Sequence, residues 1–164
     1  MTAYTFTKVT DNAKFNRGAT TTVVATFDVD TETSTTGLAN GDTISGVPIP
    51  EYATIVGYTL TFDELDTNAS PTGTISLGDS GSSTRFLSAV ALGGSASSYV
   101  YTEANAPAPG AFVASGITQN TPSNGVGYTY TADGTILLTV DAALATAATA
   151  GQLTLVVQYT DGAY

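Results

Sequence analysis

The sequence predicts an all-β protein: a jelly-roll-like antiparallel β-sandwich of about eight strands, preceded by an extended N-terminal arm. Three observations predict it. Thr is the commonest residue, 31 of 164, and Val, Ile, Tyr and Phe supply most of the other β-formers. Apolar and polar residues alternate with period two through the apolar stretches. Gly, Pro, Asn and Asp punctuate the chain at short intervals, and strand-like and long helical patterns do not alternate as βαβ units would require. No repeat with a period of 20–50 residues is present. Residues 1–19 read as the arm and residues 20–164 as the sandwich.

Taken in order, residues 3–9 place Tyr4, Phe6 and Lys8 on one side of a period-two reading. Residues 20–30 put Val23, Ala25, Phe27 and Val29 on one face and Thr22, Val24, Thr26, Asp28 and Asp30 on the other, a strand between core and water. Residues 31–42 are a polar loop. Residues 43–49, TISGVPI, are interrupted by Gly46 and Pro48, so this piece is read as an edge or a strand entry. Residues 53–62 form the strongest strand, with Ile55, Gly57, Thr59 and Thr61 on one face. Val56, Tyr58, Leu60 and Phe62 fall on the other, read as the core face.

Asp63 to Pro71 is a turn, residues 72–77 a short strand stopped by Gly78, and residues 85–88 a further short element. Residues 93–125 are the least patterned, with short strands expected near Ser98–Thr102 and Phe112–Ile117. Gly127–Thr131 and Thr135–Val140 flank Asp133-Gly134, which predicts a hairpin. Residues 142–150, AALATAATA, fit either a short helix stopped by Gly151 or an Ala-rich loop. Residues 152–160 close the chain as a strand with Leu153, Leu155, Val157 and Tyr159 on one face.

Charge narrows the function classes. Fourteen acidic residues against four basic ones give −10, and only 11% of residues are charged, against about 25% in an average protein. That balance repels nucleic acid and anionic membrane surfaces, so neither is an expected partner. There is no run of 18 apolar residues, and residues 1–20 lack the continuous apolar stretch of a secretory leader. The charge is also unevenly placed. Lys8, Lys14 and Arg17 against Asp11 make the first 17 residues +2, whereas Arg85 against thirteen acids makes the remainder −12. A basic segment on an acidic body is a signal for an interacting tail, its ordinary alternative being a few solvated charges on a first strand.

Catalytic equipment is sparse. Without Cys or His there is no disulfide, no thiolate zinc site and no histidine base. Gly78-Asp79-Ser80-Gly81 has the form found around the nucleophile of trypsin-like proteases. Its serine lacks the base that would activate it, so the tetrapeptide reads as a turn. Asp28, Asp30 and Glu32 share a strand face, and Asp63, Glu64 and Asp66 form a second acidic cluster. Counting from Asp28, the positions where an EF-hand loop needs Gly and Glu hold Thr33 and Ala39. Both clusters are read as solvated strand ends, and neither metal nor cofactor is expected. Tyr99 and Tyr101 lie in a Ser/Ala-rich stretch and are candidate residues of an exposed partner loop, with ordinary packing as the alternative.

The order VPIPEYATIVGYTLTF at 47–62, TGTISLGDSGSSTRFLSAV at 72–90, GYTYTADGTILLTV and ATAGQLTLVVQYTDG resembles small structural proteins of tailed bacteriophages. The resemblance covers about two-thirds of the chain and leaves out residues 93–125. It implies a virion protein that decorates or cements the capsid by binding the outer surface of the major capsid protein shell. It also implies a homotrimer, no enzymatic activity and no cofactor. Tyr4, Phe6, Lys8, Lys14 and Arg17 are then the expected capsid contacts, their charge being opposite to that of the body. A head or tail appendage, or a fibre module binding host-surface glycan through Tyr99 and Tyr101, is the alternative.

Overall fold

A computed structural model describes residues 1–6, 8–11, 20–29, 37–93, 99–102 and 127–162; for residues 8–11 and 99–102 it describes the backbone. The described residues form ten strands: β1 (Ala3–Thr5), β2 (Lys8–Asp11), β3 (Thr20–Asp28), β4 (Thr43–Ile49), β5 (Thr54–Phe62), β6 (Thr74–Asp79), β7 (Ser82–Ala91), β8 (Tyr99–Thr102), β9 (Gly134–Ala142) and β10 (Gln152–Thr160). They make two five-stranded sheets, β1-β4-β9-β6-β7 and β2-β3-β10-β5-β8. All pairings are antiparallel except β1 with β4.

From β3 onward, consecutive strands alternate between the sheets everywhere except at the β6–β7 hairpin. Counted as eight, β3 to β10 run first-eighth-third-sixth in one sheet and second-seventh-fourth-fifth in the other. The connections therefore gather at two ends of the sandwich. The last residues of β3, β5, β7 and β9 lie at one end, and those of β4, β6 and β8 at the other.

The period-two reading holds for the inner faces of β3 and β10. Val23, Ala25, Phe27 and Val29 are buried, as are Leu153, Leu155, Val157 and Tyr159. They meet Ile44, Val47, Ile49, Ile75, Leu77, Ile136, Leu138 and Val140 from the facing sheet in one continuous core. TISGVPI is an inner strand of its sheet, flanked by β1 and β9. β1 covers only Thr43–Ser45, so beyond it the strand is an edge, as the Gly and Pro predicted: among the described residues Pro48 has no partner strand on that side, and the register shift between Ser45 and Val47 takes up Gly46.

Two expectations are corrected. β5 does not keep one phase, because its register against β10 shifts between Gln158 and Tyr159, leaving Val56 as the extra residue. Ile55 and Tyr58 therefore both face the core, while Val56 stands 36% exposed. Asp133-Gly134 does not join a hairpin either. Residues 127–130 bond to the start of β5, through Gly127 N–H to Ile55 O (2.7 Å) and Tyr130 N–H to Ala53 O (2.9 Å). β9 pairs instead with β4 and β6. The local turn signal lost to long-range pairing in two different sheets. Residues 143–151 form the Ala-rich loop rather than the helix, because their backbone bonds reach across to Leu38, Leu65 and Asp66. The strand expected at Phe112–Ile117 lies outside the described residues.

Candidate docking surfaces

The described part of the N-terminal segment is built into the sandwich. β1 lies along β4 with Tyr4 opposite Ile44, and β2 lies along β3 with Lys8 opposite Thr26. The segment thus contributes an edge strand to each sheet. Between the two strands Phe6 enters the core, 7% exposed. Its socket exists because Gly46 has φ +146°, and a Cβ there would come within 3.3 Å of the Phe6 ring. Tyr4 packs edge-on against Phe27 with ring centroids 5.9 Å apart. Thr2 N–H donates to buried Asp42, which also accepts the Ala39 N–H, so the start of this N-terminal segment, hereafter the strap, is tied to the β3–β4 loop.

Of the five expected contact residues, Phe6 is therefore a core anchor and Tyr4 is half-buried. Lys8 is placed by its backbone on an edge strand, and Lys14 and Arg17 lie outside the described residues. Tyr99 and Tyr101 stand on edge strand β8, opposite Phe62 and Leu60 in register. The structure thus brings Tyr4, Phe6 and Lys8 along one side of the sandwich, with β8 at the far edge of the second sheet from β2.

Gly78-Asp79-Ser80-Gly81 is the β6–β7 turn. Asp79 Oδ1 accepts the N–H groups of Gly81 and Ser82, both at 2.9 Å. Its other oxygen accepts Arg85 Nε at 2.6 Å and the Tyr130 hydroxyl at 3.0 Å. The Arg85 guanidinium lies 3.8 Å over the ring of Tyr128, which meets Tyr130 edge-on at 5.0 Å. Burial pushes the Asp79 carboxyl up, but Arg85, the Ser82 N–H, the Tyr130 hydroxyl and the Gly81 N–H outweigh it and hold the acid below the usual carboxylate range. Burial, then the charge of Asp79, raises Tyr130 well above the usual tyrosine range. This arrangement fixes a turn. Arg85 is committed to Asp79, which leaves Lys8, Lys14 and Arg17 as the remaining cations, all within the first 17 residues.

Asp66 departs from the expected solvated cluster. It is fully buried, at 0% exposure. Its carboxylate accepts five backbone N–H groups, from Asn68, Thr72, Gly73, Ala145 and Thr146. Burial raises its pKa, but the donors, led by Ala145, reverse this and hold it below the usual range. The acid is a staple between the β5–β6 and β9–β10 loops. Its neighbour Asp63 accepts the Gln152 N–H at 2.9 Å. Asp28 stays half-buried at the end of β3, and Asp30 and Glu32 lie outside the described residues.

Sequence reading missed the buried carboxylates of Asp66 and Asp79, as it did that of Asp42, because loop acids ordinarily face water. The available signal was the glycine near each. Gly73 and Gly81 present backbone N–H groups to Asp66 and Asp79, as glycines in tight turns do.

No protein-family model matches the chain, and no curated protein is similar to it. Two solved structures share its fold. The chain is similar to one in the capsid asymmetric unit of cyanophage Pam1, at 27% identity and a TM-score of 0.64, over 92% of this chain and 89% of that one. Its structural neighbours are phage capsid chains. The second comes from the capsid of Ralstonia phage GP4, with a TM-score of 0.64 and 20% identity, over 94% of this chain and 92% of that one. The likeness spans nearly the full length in both cases, so it takes in the whole sandwich rather than one shared motif.

Proposed function

We propose that the chain is a virion structural protein that decorates and cements the capsid of a tailed bacteriophage, binding the outer surface of the major capsid protein shell. The observation that carries this reading is the full-length likeness to a capsid chain of cyanophage Pam1 at 27% identity. The strand order, eight strands wrapped across two sheets, supports the jelly-roll reading of the body. The lack of His and Cys supports a structural rather than a catalytic role.

Docking runs through the strap. Phe6 and Tyr4 anchor residues 1–6 to the sandwich, and Lys8, Lys14 and Arg17 carry positive charge toward an acidic patch of the shell. The acidic body faces solvent and keeps decorated particles apart. Copies assemble as trimers, so that modest contacts per chain combine through multivalency.

Light scattering of the purified protein, followed by co-sedimentation with shells of the cognate major capsid protein, tests the reading. A trimer that saturates the shell and is released by salt is the expected result. Truncating residues 1–17 would also remove the Phe6 anchor. The decisive variant is therefore Lys8→Glu/Lys14→Glu/Arg17→Glu, which reverses the charge and leaves the anchor in place. Unchanged shell occupancy by that variant would reject docking through the strap.

A further inference from the structure

The β4–β5 turn carries a tyrosine where its backbone favours glycine. Ala53 N–H donates to Pro50 O at 3.2 Å, closing a four-residue turn over Glu51 and Tyr52. Tyr52 has φ +64°, a left-handed conformation that is an outlier for a bulky side chain. Three contacts hold it there. Its N–H donates to Tyr130 O at 2.7 Å, and the Glu51 N–H donates to Asp133 Oδ1 at 2.9 Å. Gly162 packs so close that a Cβ there would lie 2.3 Å from the Tyr52 carbonyl oxygen.

The backbone is tied down, yet the side chain is 42% exposed. With Met1 and Val56, it is one of three large apolar residues that stand exposed among the described residues. The Glu51 carboxylate beside it pushes the Tyr52 hydroxyl above the usual tyrosine range. The surroundings are acidic: Glu51 and Asp133 are joined by a hydrogen bond, and Asp161 immediately precedes Gly162. The nearby cation, Arg85, is held by Asp79.

An exposed aromatic ring on a tied-down turn with an acidic rim is the chemistry of an interface anchor. We infer that this turn is a second contact surface, on which the Tyr52 ring enters an apolar socket of a neighbouring protein whose rim carries Lys or Arg. The same turn of a second copy is a poor partner, because its carboxylates would face those of the first. The inference goes beyond docking through the strap, since it uses different residues of opposite charge.

The test exploits the backbone. Tyr52→Gly supplies the residue that φ +64° favours, so the variant folds with an unchanged or raised Tm. Its occupancy on capsid particles at sub-saturating concentration is expected to fall at least tenfold, while Tyr52→Phe stays near wild type. Wild-type occupancy by Tyr52→Gly overturns the inference. Hydroxyl-radical labelling of intact particles reads the site directly: Tyr52 protected relative to the free protein supports the contact, and equal labelling overturns it. Charge reversal in the strap leaves that protection in place if only the strap reading is wrong, so the two failures are distinguishable.

Discussion

The two ends of the sandwich are each fastened by a buried aspartate, and they are fastened differently. At the end where the β5–β6 and β9–β10 loops meet, Asp66 is fully buried and its five donors are all backbone N–H groups. At the opposite end, Asp79 is 5% exposed and divides its oxygens between two turn N–H groups, Arg85 and the Tyr130 hydroxyl. The first fastening joins loops to loops and depends on the fold being complete. The second joins a hairpin turn to buried Tyr130 and to Arg85, which is 21% exposed and retains access to water. The difference teaches where the molecule can give. Removing Asp66 takes the shared acceptor from five backbone N–H groups at once, whereas removing Asp79 lets Arg85 and the turn N–H groups rehydrate and leaves only the buried Tyr130 hydroxyl without its acceptor.

The largest expected effect follows directly. Asp66→Ala leaves five backbone N–H groups, that of buried Gly73 among them, without their acceptor, each costing about 1–3 kcal/mol where it stays dry and not fully additive, for a loss of about 4 kcal/mol. Asp79→Ala is expected to lose about 2 kcal/mol, because Arg85 and the turn N–H groups can turn to solvent and only the buried Tyr130 hydroxyl is left without its acceptor. Urea unfolding of both variants checks the order, and an Asp79 variant less stable than the Asp66 variant would break the contrast. Phe6→Ala falls between them, at about 3 kcal/mol for an emptied aromatic socket. It sharpens the comparison because Phe6 is held by the core between the sheets and by neither aspartate. A loss near zero would mean that residues 1–6 do not close the side of the sandwich.

pH separates the ends further. Both carboxyls have folded pKa values below their unfolded ones, so both contribute stability that is fully present above the ordinary carboxylate value of about 4. That stability is lost as pH falls through the lower folded values. An unfolding midpoint followed between pH 6 and pH 2 should therefore drop in acid. Asp66→Asn and Asp79→Asn should each be less stable at neutral pH and show a shallower acid limb. An acid limb unchanged in both variants would show that other carboxylates govern acid unfolding.

How much of this was legible in the sequence differs between strands and ends. The faces of β3 and β10 could be read from Val23, Ala25, Phe27 and Val29, and from Leu153, Leu155, Val157 and Tyr159, because alternation in a strand reports directly on burial. The phase of β5 could not, since the bulge at Val56 arises from pairing with β10, a partner nearly a hundred residues away. The Asp133-Gly134 signal was genuine turn chemistry, but strand choice is settled by the sheets and not by the turn. The fastenings were illegible for a related reason: the donors to Asp66 come from Thr72, Gly73, Ala145 and Thr146, which only the closed fold brings together. Of the proposed contacts, the charge of the first 17 residues was visible, whereas the core anchoring of Phe6 depends on the left-handed Gly46 opposite it.

The smallest effect tests whether the Asp79 end is held by charge alone or also by shape. Arg85 makes two contacts with Asp79, Nε at 2.6 Å and Nη2 at 3.2 Å, while its plane covers the Tyr128 ring at 3.8 Å. A lysine keeps the charge, but it cannot make the forked contact and stack at once. Arg85→Lys should therefore lose about 1 kcal/mol, with part of the loss recovered when Tyr128→Leu is combined with it, since the stacking term is then already gone. A double-mutant cycle on these two positions measures that coupling. Additive losses would mean that the guanidinium acts on this turn only as a counter-ion, and that the open end, like the closed one, is held by its aspartate alone.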